Sequence, residues 1–95
     1  MPGAPSIPPT VLLVEDDPAI AETIAYPLRA EGFLVEHRLL GGGVAGRVRE
    51  GGVDLVLLDV GLPDVGGFDV CRQLRAFSAV PVVFLTARND EIDRV

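Results

Sequence analysis

The sequence predicts an α/β fold: a doubly wound parallel sheet with helices on both faces. Three short runs carry that expectation: TVLLV at residues 10–14, VDLVLL at 53–58 and PVVFL at 81–85. Each is almost continuously apolar, the pattern of a strand buried on both sides, as parallel sheets require. Helical stretches separate the runs. Strands that alternate with helices pair in parallel through right-handed crossovers. A chain of 95 residues holds one such domain.

The elements follow in order. Residues 1–9, MPGAPSIPP, contain four prolines and form a flexible leader. The folded domain, residues 10–95, opens with the strand 10–14. Asp17 then reads as an N-cap and Pro18 as the first helical residue. Ile20, Ile24 and Leu28 make one apolar stripe, so a helix should span residues 18–31 and stop at Gly32. Pro27 lies inside it and should bend it. Residues 33–37 form a more polar strand nearer an edge. Gly41 to Gly43 form a loop and residues 44–50 a short helix. The strand 53–58 delivers Asp59 at its carboxyl end. Residues 60–67 are rich in turn formers. Residues 68–77 form a helix, with Phe68, Phe77 and Phe84 as core candidates. The strand 81–85 ends at Thr86, and Asn89 caps a last helix at 90–95.

Composition bounds the function. Fourteen acidic against eight basic side chains leave a net charge of -6, and the pI is near 4.5. Such a chain is poorly suited to direct nucleic-acid binding, which Lys and Arg lead. One cysteine, Cys71, excludes an internal disulfide. No apolar run approaches the roughly 18 residues that span a bilayer, and residues 1–9 lack the basic flank and apolar stretch of a signal peptide. The expectation is a cytoplasmic domain with no membrane contact.

In sheets of this kind the ligand site lies beyond the carboxyl ends of the strands. Those ends carry Glu15, Asp16 and Asp17, then Asp59, then Thr86. Acidic residues after a strand ordinarily cap the next helix, and Asp17 does so here. Glu15, Asp16 and Asp59 together would repel one another, and burial would add a desolvation penalty. A hard divalent cation such as Mg²⁺, which takes carboxylate and phosphate oxygens, would compensate. Asp59 on a strand tip could also act as a nucleophile that forms an aspartyl phosphate. The Thr86 hydroxyl suits a phosphoryl oxygen. His37 reads as a solvated side chain, and the three glycines lack the spacing of a phosphate loop.

Three segments carry a family resemblance: VLLVEDDP at residues 11–18, LLDVGLPDVGG at 57–67 and PVVFLTA at 81–87. In order and spacing, the chain resembles the receiver domain of two-component response regulators. The tracts GLPDVGGFDVCRQL and FLTARNDEIDRV look closest to OmpR/PhoB-type transcription regulators, CreB-like ones among them. The resemblance implies a flavodoxin-like (CheY-like) sheet of order 2-1-3-4. It implies Asp59 as acceptor of a phosphoryl group from a sensor histidine kinase. It gives Mg²⁺ to Glu15, Asp16, Asp59 and the Gly61 carbonyl, and gives the phosphoryl oxygens to Thr86 and the Ala87 amide. Pro63 and Gly67 would shape the loop after the acceptor. The domain is then a phosphoacceptor that assists its own chemistry rather than an enzyme, and it normally controls a DNA-binding output domain.

A family receiver continues through a fifth strand and fifth helix, which are expected to be missing here. With them would go the family's lysine, and the chain contains no Lys. That departure predicts weak phosphorylation. It also predicts self-association through an exposed fourth strand. The alternative reading is a switch-incompetent receiver fragment that serves as an interaction module. A hydrolase with an aspartyl nucleophile fits less well, because Gly61 stands where its second aspartate belongs.

Overall fold

The computed structural model describes residues 7–85. Seven elements follow one another: β1 (Thr10–Val14), α1 (Pro18–Ala30), β2 (Leu34–Arg38), α2 (Val44–Arg49), β3 (Leu55–Asp59), α3 (Gly67–Arg75) and β4 (Val82–Leu85). The strands form one parallel sheet in the order β2-β1-β3-β4. That is the order the resemblance implies. Thr86, Ala87, Asn89 and the expected helix at 90–95 lie outside the described residues.

Strand alternation divides the core between the two faces. On one face, Leu12 and Val14 of β1 and Val56 and Leu58 of β3 meet Val44 and Val48 of α2 and Val70 and Leu74 of α3. On the other, Val11, Leu13 and Leu57 meet Ala21 and Ala25 of α1. Leu12, Leu13 and Leu58 are wholly buried, each worth about 1.5–3 kcal/mol in transfer from water. The central pair β1 and β3 is thus clamped from both sides, and its carboxyl ends are held in place.

Local signals explain the element ends. The Asp17 carboxylate accepts from the amides of Ala19 at 2.9 Å and Ile20 at 3.4 Å, and Pro18 follows as the first helical residue. Gly32 has φ of +99° just past the end of α1, which stops there as expected. The helix runs without interruption through Pro27. Thr23, whose carbonyl loses its usual partner there, is exposed to water. Residues 53 and 54 precede β3 rather than joining it. There the Asp54 carboxylate accepts from the Thr10 amide at 2.7 Å, and the Asp54 amide donates to the Thr10 carbonyl at 2.9 Å.

Between β2 and α2, Arg47 holds Glu36 through two parallel hydrogen bonds of 2.7 and 2.8 Å and donates to the Gly51 carbonyl. This pairing lowers the Glu36 carboxyl and raises the Arg47 guanidinium. Arg49 stacks over the Phe77 ring at 4.0 Å, and Phe77 packs at the rim of the α2–α3 core.

Two core candidates prove to be surface residues. Phe68 is 60% exposed and Phe84 is 39% exposed, and their rings meet in a tilted arrangement, 54° between planes and 4.8 Å between centroids. Phe68 lies two residues before buried Val70, which turns it to the opposite side of α3. Phe84 belongs to β4, the sheet edge among the described residues, where Val83 is exposed as well. Apolarity in that run therefore does not mean burial on both faces.

Candidate functional site

The register of the sheet builds the site. Val14 pairs with Leu58, so the next residues along each strand, Glu15 and Asp59, emerge side by side at the carboxyl edge. Asp59 is the last residue of β3 and pairs with Leu85 of β4. Carboxylate oxygens of Glu15, Asp16 and Asp59 all lie within 4.8 Å of one another. Glu15 is only 3% exposed and Asp59 only 8%, while Asp16 faces solvent. The three carboxylates expected to converge do so.

The electrostatics are unfavourable for three bare anions. Burial pushes the Glu15 carboxyl up, the Asp17 amide at 3.1 Å pulls it back, and the charges of Asp59 and Asp16 push it up again. Among the described residues, no Arg pairs with any of the three. Three hard oxygen donors in a partly dry niche match the donor set of Mg²⁺, which keeps several waters beside one or two carboxylates. The residues present therefore fit the ion that the sequence implies. Gly61 occupies an exposed turn two residues past Asp59.

The start of α3 is packed against the backbone at the end of β3. A Cβ added at Gly67 would stand 2.6 Å from the Asp59 carbonyl oxygen and 2.7 Å from the Val60 Cα. The Gly67 amide also donates to the Val60 carbonyl at 3.1 Å. Glycine at 67 is what lets α3 begin directly beneath the Asp59 backbone.

Two contributors escaped the sequence reading. The His37 ring is not simply solvated: its Nε2 lies 2.7 Å from the Glu15 carbonyl oxygen. Asp64 accepts from the amides of Gly41 and Gly42, both at 2.9 Å, and so joins the loop after β2 to the loop after β3. Gly41 is closely packed there: a Cβ would come within 2.9 Å of the Val70 side chain and 3.2 Å of the Leu62 side chain, so those tips would have to shift. No local signal marks either bond, since the partners lie 22 or 23 residues apart.

Fold and site together define a class: a CheY-like α/β domain with an acidic centre at the carboxyl edge of its sheet. The model of the response regulator receiver domain matches residues 11–95, and the chain belongs to that family. It is 52% identical over 87 residues to the transcriptional regulatory protein CreB of Escherichia coli, covering 90% of this chain and 38% of CreB. It is 49% identical over 87 residues to the DNA-binding response regulator MtrA of Mycolicibacterium smegmatis, covering 90% and 37%. Both relatives are of the OmpR/PhoB type. The BeF3-activated N-terminal receiver domain of Klebsiella pneumoniae RstA superposes with a TM-score of 0.78 at 32% identity, covering 88% of this chain and 72% of that one. The chain thus spans under two-fifths of the length of these curated relatives. No helix among the described residues is long and apolar enough to cross a membrane.

Proposed function

We propose that this chain is the phosphoacceptor receiver of a two-component response regulator, with Asp59 accepting a phosphoryl group from a sensor histidine kinase. The observation that carries the reading is the convergence of Glu15, Asp16 and Asp59 within 4.8 Å, with Asp59 on a strand tip. Glu15, Asp16, Asp59 and the Gly61 carbonyl would hold Mg²⁺. When bound, that ion neutralises the carboxylates and the approaching phosphoryl oxygens.

The chain's own residues perform the rest. An Asp59 carboxylate oxygen attacks phosphorus while the phosphorus–nitrogen bond to the kinase imidazole breaks, and the freed ring nitrogen takes up a proton. Packing of β3 between two helical layers holds the nucleophile still for in-line attack. Thr86 follows β4 directly in the chain. Its hydroxyl and the Ala87 amide are assigned to the phosphoryl oxygens on the strength of the family motif. The domain assists its own phosphorylation and is not a turnover enzyme.

In the whole protein the output is control of transcription through a DNA-binding domain, a reading supported by the names of CreB and MtrA. This acidic chain leaves DNA contact to that domain. The exposed Val83 and Phe84 of β4 support self-association along that strand. The alternative of a switch-incompetent interaction module has no support among the relatives.

Intact mass after incubation with acetyl phosphate and Mg²⁺ tests the reading. One phosphoryl adduct is expected on the chain and none on Asp59→Ala. A folded chain that gains no adduct overturns it.

A further inference from the structure

We infer that His37 is a positioning residue for the acidic centre: its ring sets the peptide plane from which Glu15 and Asp16 project toward the cation. The inference rests on the proposed metal-binding role of those carboxylates.

The argument is geometric. Glu15 stands between two peptide planes, and β2 holds both. On the amino side, the Glu15 amide donates to the Arg38 carbonyl at 3.0 Å, continuing the parallel ladder one step past Val14. On the carboxyl side, the Glu15 carbonyl lies 2.7 Å from His37 Nε2. A carbonyl oxygen only accepts, so Nε2 carries the proton in this contact. With both planes held, the backbone torsions of Glu15 have little freedom left. The Glu15 carbonyl and the Asp16 amide belong to one peptide unit, so the plane the ring holds is also the plane from which Asp16 departs. A third tie, from the Asp17 amide to the Glu15 carboxylate at 3.1 Å, holds the side chain itself.

The position of His37 explains why a side chain is used. His37 pairs with Leu13 and Arg38 with Val14, which are the last rungs between β1 and β2. Beyond them β2 ends and the chain turns toward the glycines at 41–43. The Glu15 amide makes the last backbone bond to β2, and a side-chain donor from β2 takes over at the Glu15 carbonyl. Partners that orient metal ligands from behind typically govern affinity as well as geometry.

Calorimetric titration of Mg²⁺ into the full chain, His37→Phe and His37→Gln tests this. His37→Phe keeps a planar ring of similar size and removes the donor. It should bind Mg²⁺ about three- to tenfold more weakly, the effect of one lost hydrogen bond. His37→Gln restores an N–H donor and should recover most of that loss. Unchanged affinity in His37→Phe overturns the inference while leaving the metal site intact. A native chain that binds no Mg²⁺ overturns both. Long-range ¹H–¹⁵N spectra of the histidine ring in the metal-free chain give a reading that needs no variant. A proton on Nε2 is expected, and a ring protonated only at Nδ1 overturns the inference.

Discussion

Two carboxylates at the same edge of the sheet, Asp64 and Glu15, meet opposite conditions. Asp64 lies exposed in the loop after β3, yet accepts the amides of Gly41 and Gly42. Those donors, Gly41 first, hold its carboxyl below the usual range. Glu15 is almost fully buried, beside two further carboxylates, and its carboxyl is pushed up, chiefly by burial. Donors without burial favour the anion. Burial with like charges at hand disfavours it. The first arrangement fastens two loops together, and the second leaves a demand for positive charge that a cation would satisfy.

Four substitutions or titrations sharpen the contrast. The largest effect is expected at Gly67, where a methyl group would collide with the Asp59 backbone. Backbone gives way less readily than side chains, so Gly67→Ala should cost about 3 kcal/mol in urea denaturation, at the upper end for overpacking. It should also weaken Mg²⁺ binding. A neutral result would mean that the acidic centre does not depend on the close approach of α3.

Gly41→Ala tests the Asp64 side of the contrast. Its methyl would meet the tips of Val70 and Leu62, which can shift, as well as the Val65 carbonyl at 3.3 Å. A loss of about 1–2 kcal/mol is expected, smaller than at Gly67. A larger loss at Gly41 than at Gly67 would reverse the ranking of the two regions.

Asp59→Asn should stabilise the metal-free chain. It removes one of three negative charges within 4.8 Å of one another, a gain on the order of 1 kcal/mol. Excess Mg²⁺ should shrink or reverse the advantage, because the ion stabilises the unsubstituted chain by mass action. If Asp59→Asn melts below the unsubstituted chain without metal, repulsion does not dominate the site.

Acid titration separates the two carboxylates by sign. The contribution of Asp64 is present above its ordinary value of 3.8 and is lost as pH falls through its lowered folded value. Glu15 runs the other way. Its contribution is complete below 4.5 and is lost as pH rises through the raised folded value. Asp64→Asn should therefore flatten the acid limb of the stability profile, and Glu15→Gln should remove the loss on the rising side. Denaturant midpoints followed across the acid range check both, and like-signed changes would break the comparison.

Much of this molecule was legible before its structure. The apolar runs of β1 and β3 are set by short-range pattern, and Asp17 caps α1 within its own first turn. Once those strands are parallel neighbours, Glu15 and Asp59 must emerge together. The fourth run is a strand, as its apolarity implies, but apolarity alone does not say whether a strand is central or an edge. Val83 and Phe84 are exposed on it, so only the expectation of Phe84 as a core residue fails. Phe68 is apolar but sits about 200° round α3 from buried Val70, so residue type alone does not reveal that it faces outward.

The sequence by itself determined the order of the seven described elements, the two ends of α1, the central strands and the three carboxylates, since each rests on neighbours along the chain or on strand and helix periodicity. Only the tertiary structure decided that His37 holds the Glu15 carbonyl, that Asp64 fastens the glycine loop, and that Gly67 must lack a side chain. Each of those depends on how separate elements come together to within a few tenths of an ångström once the sheet and helices have packed. Hydrophobic pattern sets which face of an element is buried. It carries no information about which polar groups meet once the faces have packed.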